Sequence, residues 1–150
     1  MKRCGFLIIL IVMAYCANIE AKEWRTDFNN AASAAKVSGK YILLDFSGSD
    51  WCGWCKRLEK EVFSQDAFKE FAEENLVCVL IDFPSAKKQP KELKQQNKDL
   101  ARKYDIKGYP TIIILSPDGK LVGKSGYLQG GPWEYARHLK KIIDEYKSRL

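Results

Sequence analysis

Residues 44–56 of the chain are LDFSGSDWCGWCK, in which two residues separate Cys52 from Cys55. The apolar run Tyr41–Phe46 is long enough for a buried strand, and Ser47–Asp50 is a cluster of turn-forming residues. Apolar residues recur at helical spacing from Cys52 onward. We therefore predict a strand, a turn and a helix, with both cysteines at the amino end of that helix.

The amino end of a helix favours the ionised form of a cysteine. Free N–H groups and the helix dipole stabilise a thiolate there, and Lys56 and Arg57 add positive charge. Two intervening residues bring the two sulfurs within bonding distance across one helical turn. Cys52 is predicted to be the exposed nucleophile that attacks a substrate disulfide, and Cys55 to resolve the mixed disulfide.

Two other interpretations of the cysteine pair stay open. A structural zinc site needs four ligands, but a second cysteine pair is absent from the sequence. His138 is the single histidine, and the final helix need not bring it near. A purely structural disulfide would close a loop so short that it stabilises little. We therefore predict no metal and no cofactor.

The remaining elements follow from turn residues and from hydrophobic spacing. We predict helices over about 28–38, from a cap at Ser64, over 92–104 and after Pro132, and strands over 77–83, 111–115 and 121–126. Strands joined through helices should be parallel, and the two strands joined by the turn at 116–119 antiparallel. The predicted fold class is α/β, a small mixed sheet with helices on both faces.

The first residues are organised like a secretory signal peptide. Lys2 and Arg3 precede an apolar run over 6–17, which is shorter than the roughly 20 residues of a membrane span. Small Ala21 ends an imperfect cleavage site. We predict a signal peptide over 1–21, one domain over 22–150, and export to the periplasm or the extracellular space. The alternative is a leader kept as an amino-terminal anchor; no other segment is apolar enough to span a membrane.

The composition excludes some classes of protein and partner. Of five cysteines, two lie in the leader, so a single one, Cys78, accompanies the pair, and the domain is not a disulfide-stapled scaffold. The net charge of +6 comes from basic residues that are interleaved with acidic ones, which is typical of a solvated surface. We expect no nucleic-acid partner, no stable membrane span after cleavage, and a monomer.

Residues 41–126 resemble the thioredoxin family. The resemblance rests on Leu44-Asp45-Phe46, on Trp51-Cys52-Gly53-Trp54-Cys55-Lys56, and on Tyr104-Asp105-Ile106-Lys107-Gly108-Tyr109-Pro110-Thr111. It covers nearly all of the chain after the leader and implies the thioredoxin fold and thiol-disulfide exchange with proteins. The leader and an insertion over 84–98 make the chain more similar to exported thioredoxin-like proteins than to compact cytosolic thioredoxin.

The resemblance also implies roles for residues far from the cysteines in sequence. Pro110 would be a cis proline facing the sulfurs, the backbone of Tyr109 would pair with an extended substrate, and Gly126 would let that substrate approach. Asp45 matches a buried acid that would pass protons to and from Cys55. For Pro110 the alternative is an ordinary trans proline. For Asp45 the alternative is an aspartate that only forms hydrogen bonds at the strand end. The turn from Asp45 to the cysteines is one residue longer than is usual in thioredoxins.

The residues around the cysteines are assigned to substrate binding. Trp51 and Trp54 would offer an apolar rim to an extended chain, although packing that supports the loop is an equal alternative for Trp51. Gly53 and Trp54 also tune the reduction potential, for which about 30 mV corresponds to roughly 1.4 kcal/mol. Cys78 lies where thioredoxins often have a lysine, and we predict an inert core residue, with a third redox role as the alternative.

The leading functional prediction is exchange of a Cys52–Cys55 dithiol or disulfide with disulfides of exported proteins. A reductase or interchange direction is favoured, with an electron-donor protein that the sequence does not identify. The alternatives are an isomerase or oxidant, a thioredoxin-fold binding module or chaperone without turnover, and a metallochaperone.

Overall fold

Four strands form one mixed sheet in the computed structural model, which describes residues 24–150. They are β1 (Tyr41–Ser47), β2 (Leu76–Asp82), β3 (Thr111–Leu115) and β4 (Leu121–Ser125), in the order β2-β1-β3-β4. β1 is parallel to β2, whereas β3 is antiparallel to both β1 and β4. The predicted mixed sheet is confirmed, with β1 as a central strand.

Five α-helices surround the sheet within the described residues. They are α1 (Phe28–Ser38), α2 (Gly53–Leu58), α3 (Asp66–Asn75), α4 (Lys91–Lys103) and α5 (Gly131–Lys147), and a π-helical segment, Glu59–Phe63, continues α2. α1 has the predicted bounds because the Asp27 carboxylate accepts the N–H of Asn30 at 3.0 Å and Gly39 ends the helix at a φ of 73°.

The predicted cap at Ser64 is wrong, because the N-cap residue of α3 is Gln65. Ser64 still belongs to the end of the π-helical segment, where its N–H donates to the carbonyl of Glu59 at 2.9 Å. Its hydroxyl donates back to the carbonyl of Lys60. Ser64 is thus part of the preceding segment, and α3 begins without a side-chain cap.

Alternation along β1 divides the core into two layers and fixes the direction of Asp45. Ile42, Leu44 and Phe46 pack with α1 and α4, whereas Leu43 packs with α2, the π-helical segment, α3 and α5. Asp45 is two residues from Leu43, so it lies on the same face. The sheet therefore has helices on both faces, and Asp45 lies on the face that α2 covers.

The amino-terminal prediction falls outside the described residues. The signal peptide over 1–21, with its two cysteines, stays a prediction. Within residues 24–150 no helix has both the length and the apolar character needed to cross a membrane.

Just before α1, Arg25 forms a parallel bridge with Val79 at the edge of β2, a single pairing that sequence periodicity cannot predict.

Candidate active site

Cys52 is the N-cap residue of α2, and Cys55 lies in the first turn of that helix. The two residues form a disulfide, with Cα atoms 5.2 Å apart. The Sγ of Cys52 also accepts a hydrogen bond from the N–H of Cys55 at 3.2 Å. A sulfur that accepts a backbone N–H at a helix amino end is in the environment that stabilises a thiolate.

The expected exposure of Cys52 is not seen in this oxidised form. Cys52 is 6% exposed and Cys55 is 5% exposed, so the two residues are almost equally buried. The disulfide bond holds the Cys52 sulfur against the first turn of α2, which accounts for its low exposure.

The turn before the cysteines is tied to β2 by hydrogen bonds. The N–H and hydroxyl of Ser49 donate to the two carboxylate oxygens of Asp82 at 2.9 and 2.6 Å. The N–H of Cys52 donates to the carbonyl of Gly48 at 2.8 Å, and a Cβ on Gly48 would collide with the indole of Trp51. These contacts fix the path of the chain into the disulfide.

Trp51 joins this turn to the predicted proline loop. Its indole N–H donates to the carbonyl of Phe83 at 2.8 Å, and its ring stands edge-on to Tyr109 with the centroids 5.7 Å apart. The Tyr109–Pro110 peptide bond is cis, as predicted. Trp51 is 51% exposed, so one side chain both supports the loop and presents apolar surface.

Gly126 lies beside the proline, as a substrate groove would require. A Cβ built on Gly126 would be 3.4 Å from the carbonyl oxygen of Pro110, because Ser125 pairs with Ile112 between β4 and β3. Gly53 has open space where a Cβ would lie. Trp51, Tyr109, Pro110 and Gly126 thus form one connected group that begins at the residue before Cys52.

Tyr135 supports the backbone at Gly126 from below. The tyrosine is 1% exposed, and its hydroxyl donates to the Gly126 carbonyl at 2.8 Å. Tyr135→Phe should lower the free energy of unfolding by about 1–2 kcal/mol, because a part-buried carbonyl loses its donor. Urea denaturation measures the change. Tyr146→Phe is the control, since its hydroxyl has no hydrogen-bond partner within residues 24–150, and an equal loss in both variants would contradict the assignment.

A second aromatic group lies on the Trp54 side of the disulfide. The rings of Trp54 and Tyr127 are 5.1 Å apart, and the guanidinium of Arg57 lies 5.4 and 5.3 Å from them. Glu61 accepts from the Arg57 Nε at 2.6 Å and from the Tyr127 hydroxyl at 2.5 Å. Both hydrogen bonds lower the pKa of Glu61, and the bond from Tyr127 has the larger effect. Trp54 is 54% exposed, so its ring presents apolar surface while these contacts hold it in place.

Asp45 is buried where an ionised carboxylate is costly. It is 7% exposed, and its Oδ1 has no hydrogen-bond partner among residues 24–150. Burial raises its pKa to about 8, and the negative charges of Glu59 and Asp82 add to the effect. The Asp45 carboxyl is therefore mostly protonated at neutral pH, which is the state that a proton donor needs.

Cys78 is a free thiol on the same face of the sheet as Asp45. It pairs in register with Leu43, and burial raises the pKa of its thiol to about 12, with Asp45 adding to the rise. A thiol with so high a pKa is a poor nucleophile. In the part of the chain from 24 to 150, no three histidine, cysteine or acidic side chains converge as a metal site requires.

The Cys52–Cys55 disulfide at the start of α2, on a turn whose Trp51 contacts Tyr109 of the proline loop, is a redox-active dithiol/disulfide centre. The sequence model of the thioredoxin-like domain matches residues 28–143. The chain belongs to the thioredoxin family and is a thiol-disulfide oxidoreductase.

Named relatives give the same class. Disulfide bond reductase DsbH of Chlamydia pneumoniae is 32% identical over 121 residues, which are 81% of this chain and 72% of that protein. Thioredoxin-related protein DsbJ of the same organism is 29% identical over 138 residues, which are 83% of this chain but 40% of that protein. A solved DsbH oxidoreductase structure covers 81% of this chain and 84% of its own, with a TM-score of 0.78 and 32% identity.

Proposed function

We propose that this chain is an exported reductase of protein disulfides. The observation that carries the proposal is the Cys52 sulfur, which accepts a backbone N–H at the start of α2 and forms a disulfide with Cys55. The name of the relative from Chlamydia pneumoniae, a disulfide bond reductase, supports the reducing direction.

The exchange takes place in two thiolate attacks. In the reduced protein the Cys52 thiolate attacks one sulfur of a substrate disulfide, forms a mixed disulfide and releases one substrate thiolate. The Cys55 thiolate then attacks the Cys52 sulfur and releases the second substrate thiolate. Two electrons have passed to the substrate, and an electron-donor protein returns the pair to the dithiol. The ionised form of Asp45, a minority near neutral pH because the pKa of this carboxyl is raised to about 8, takes the proton from Cys55 when that thiol attacks, and the protonated form returns it when the disulfide is reduced.

The surface around the disulfide holds the substrate. An extended segment lies along the backbone of Tyr109 and Pro110, and Gly126 leaves room for it. Trp51 and Trp54 provide exposed apolar surface on either side, with Gly53 between the cysteines open to solvent. We propose that the partners are proteins with disulfides in the periplasm or outside the cell, and that the protein acts as a monomer after removal of residues 1–21.

The reduction potential tests the direction of electron flow. We expect the Cys52–Cys55 pair to equilibrate with a glutathione series nearer to about −270 mV, the thioredoxin value, than to about −120 mV, the value of a strong oxidant. Alkylation of the free thiols followed by mass spectrometry measures the reduced fraction. A potential near the oxidant value would assign the protein to disulfide formation instead.

A further inference from the structure

The connection between β2 and α4, residues 83–90, is fixed to the turn that carries the disulfide. The Asp50 carboxylate accepts the N–H groups of Ser85, Ala86 and Lys87 at 2.9, 2.7 and 3.2 Å. These bonds hold the pKa of Asp50 below its usual value. Because Asp50 is two residues before Cys52, the connection forms one border of the active-site face.

Lysines surround a cavity on this connection. The cavity has a volume of about 340 Å³ and is lined by Pro84, Ser85, Lys87, Lys88, Gln89 and Lys94. We call it the lysine pocket. Over residues 84–98 the chain has five lysines and a single acidic residue, Glu92, so positive charge is concentrated here.

The three lysines of the pocket form no salt bridge within the described part of the chain. Eight ion pairs occur within residues 24–150, and none of them includes Lys87, Lys88 or Lys94. The nearby Asp50 carboxylate is occupied by backbone N–H groups. All three lysines are exposed, so their charge is available to a partner.

We propose that the lysine pocket binds acidic side chains of the protein whose disulfide is exchanged. This inference rests on the proposed function. Two residues of chain span at most about 7 Å, so the Cα atom of Asp50 lies within that distance of the Cα atom of Cys52. The connection is hydrogen-bonded to the side chain of Asp50 and therefore lies near the disulfide. An extended substrate segment reaches the pocket with a residue about three to five positions from its cysteine. Clustered charges at the rim of a site raise the rate of encounter with an oppositely charged partner.

Two disulfide peptides that differ only in their flanking residues test the preference. One has glutamates three to five positions from the cysteine, and the other has lysines there. At low ionic strength we expect kcat/KM to be about tenfold higher for the glutamate peptide. The variant Lys87→Gln/Lys88→Gln/Lys94→Gln should reduce this ratio to about twofold or less. The control Lys36→Gln/Lys140→Gln/Lys141→Gln, with the same loss of charge on α1 and α5, should keep it.

A binding measurement separates this inference from the proposed function. A cysteine-free glutamate peptide should shift the amide NMR signals of residues 84–94 in the wild-type protein, whether or not any disulfide is reduced. Failure to reduce either disulfide peptide, together with such binding, overturns the reductase function and supports the pocket. Three results would each overturn the pocket. The first is the absence of NMR shifts in residues 84–94, and the second is an unchanged kcat/KM ratio of the two peptides in the triple variant. The third is tighter binding of these lysines to phosphatidylglycerol vesicles than to the peptide.

Discussion

Cys52→Ser should abolish the reduction of protein disulfides, with a loss of at least about 10³-fold in kcat/KM. The serine hydroxyl is not ionised near neutral pH, so the hydrogen bond from the Cys55 N–H has no thiolate to stabilise. The substitution keeps the size and the capping position of the side chain, so the fold should persist. Dithiol-driven reduction of a protein disulfide measures the loss, and full activity in this variant would refute the nucleophile assignment.

Cys55→Ser should have a different effect from Cys52→Ser. Attack by Cys52 survives but resolution fails, so mixed disulfides with substrate proteins should accumulate. Mass spectrometry after rapid alkylation detects these adducts. Cys78→Ser is the matched control, because the buried, high-pKa thiol should form no adducts and its loss should leave exchange unchanged. Adducts through Cys78, or none through Cys52, would contradict the two-step exchange.

Local sequence signals predict the elements whose ends are set by their own residues. Asp27 and Gly39 define α1 because one caps the helix and the other adopts a positive φ. The start of α3 could not be placed in the same way, since the preceding π-helical segment engages Ser64. Moving a serine by two residues leaves the composition of such a segment unchanged. The sequence therefore holds no signal that tells whether the serine caps the next helix or ends the preceding segment.

The residues of the candidate site that lie in the family motifs could be predicted from the sequence. The contacts between segments that are distant in sequence could not. The cysteines, Asp45 and the cis proline are in matching motifs. The bonds from Asp50 to residues 85–87 join an active-site turn to an insertion that the family pattern does not include. Likewise, Arg57 and Glu61 have helical spacing, but Tyr127 joins them from the loop after β4. Contacts of this kind depend on the tertiary fold, which spacing within one element does not report.

Asp45→Asn should slow exchange and change its pH dependence. The Asp45 carboxyl has its pKa raised to about 8, chiefly by burial, so near neutral pH it can both give and take a proton. An amide can do neither. We expect a loss of roughly tenfold to a hundredfold in turnover and the disappearance of an inflection near pH 8 from the rate profile. Single-turnover kinetics of the resolving step against pH measures both, with Asp66→Asn, an exposed acid at the start of α3, as the control.

Relative to the wild type, the same variant should gain stability as the pH rises above about pH 4. The folded protein keeps the Asp45 proton up to about pH 8, whereas the unfolded chain releases it near 3.8. Between these values the unfolded state binds fewer protons, so the wild-type free energy of unfolding falls as pH rises, by up to about 1.4 kcal/mol for each pH unit. The cost of burying the asparagine amide does not vary with pH, so the difference between the two proteins isolates the carboxyl. Urea denaturation from pH 4 to pH 9 measures that difference. A constant difference across this range would show that Asp45 is ionised in the folded protein and cannot hold the proton that the exchange requires.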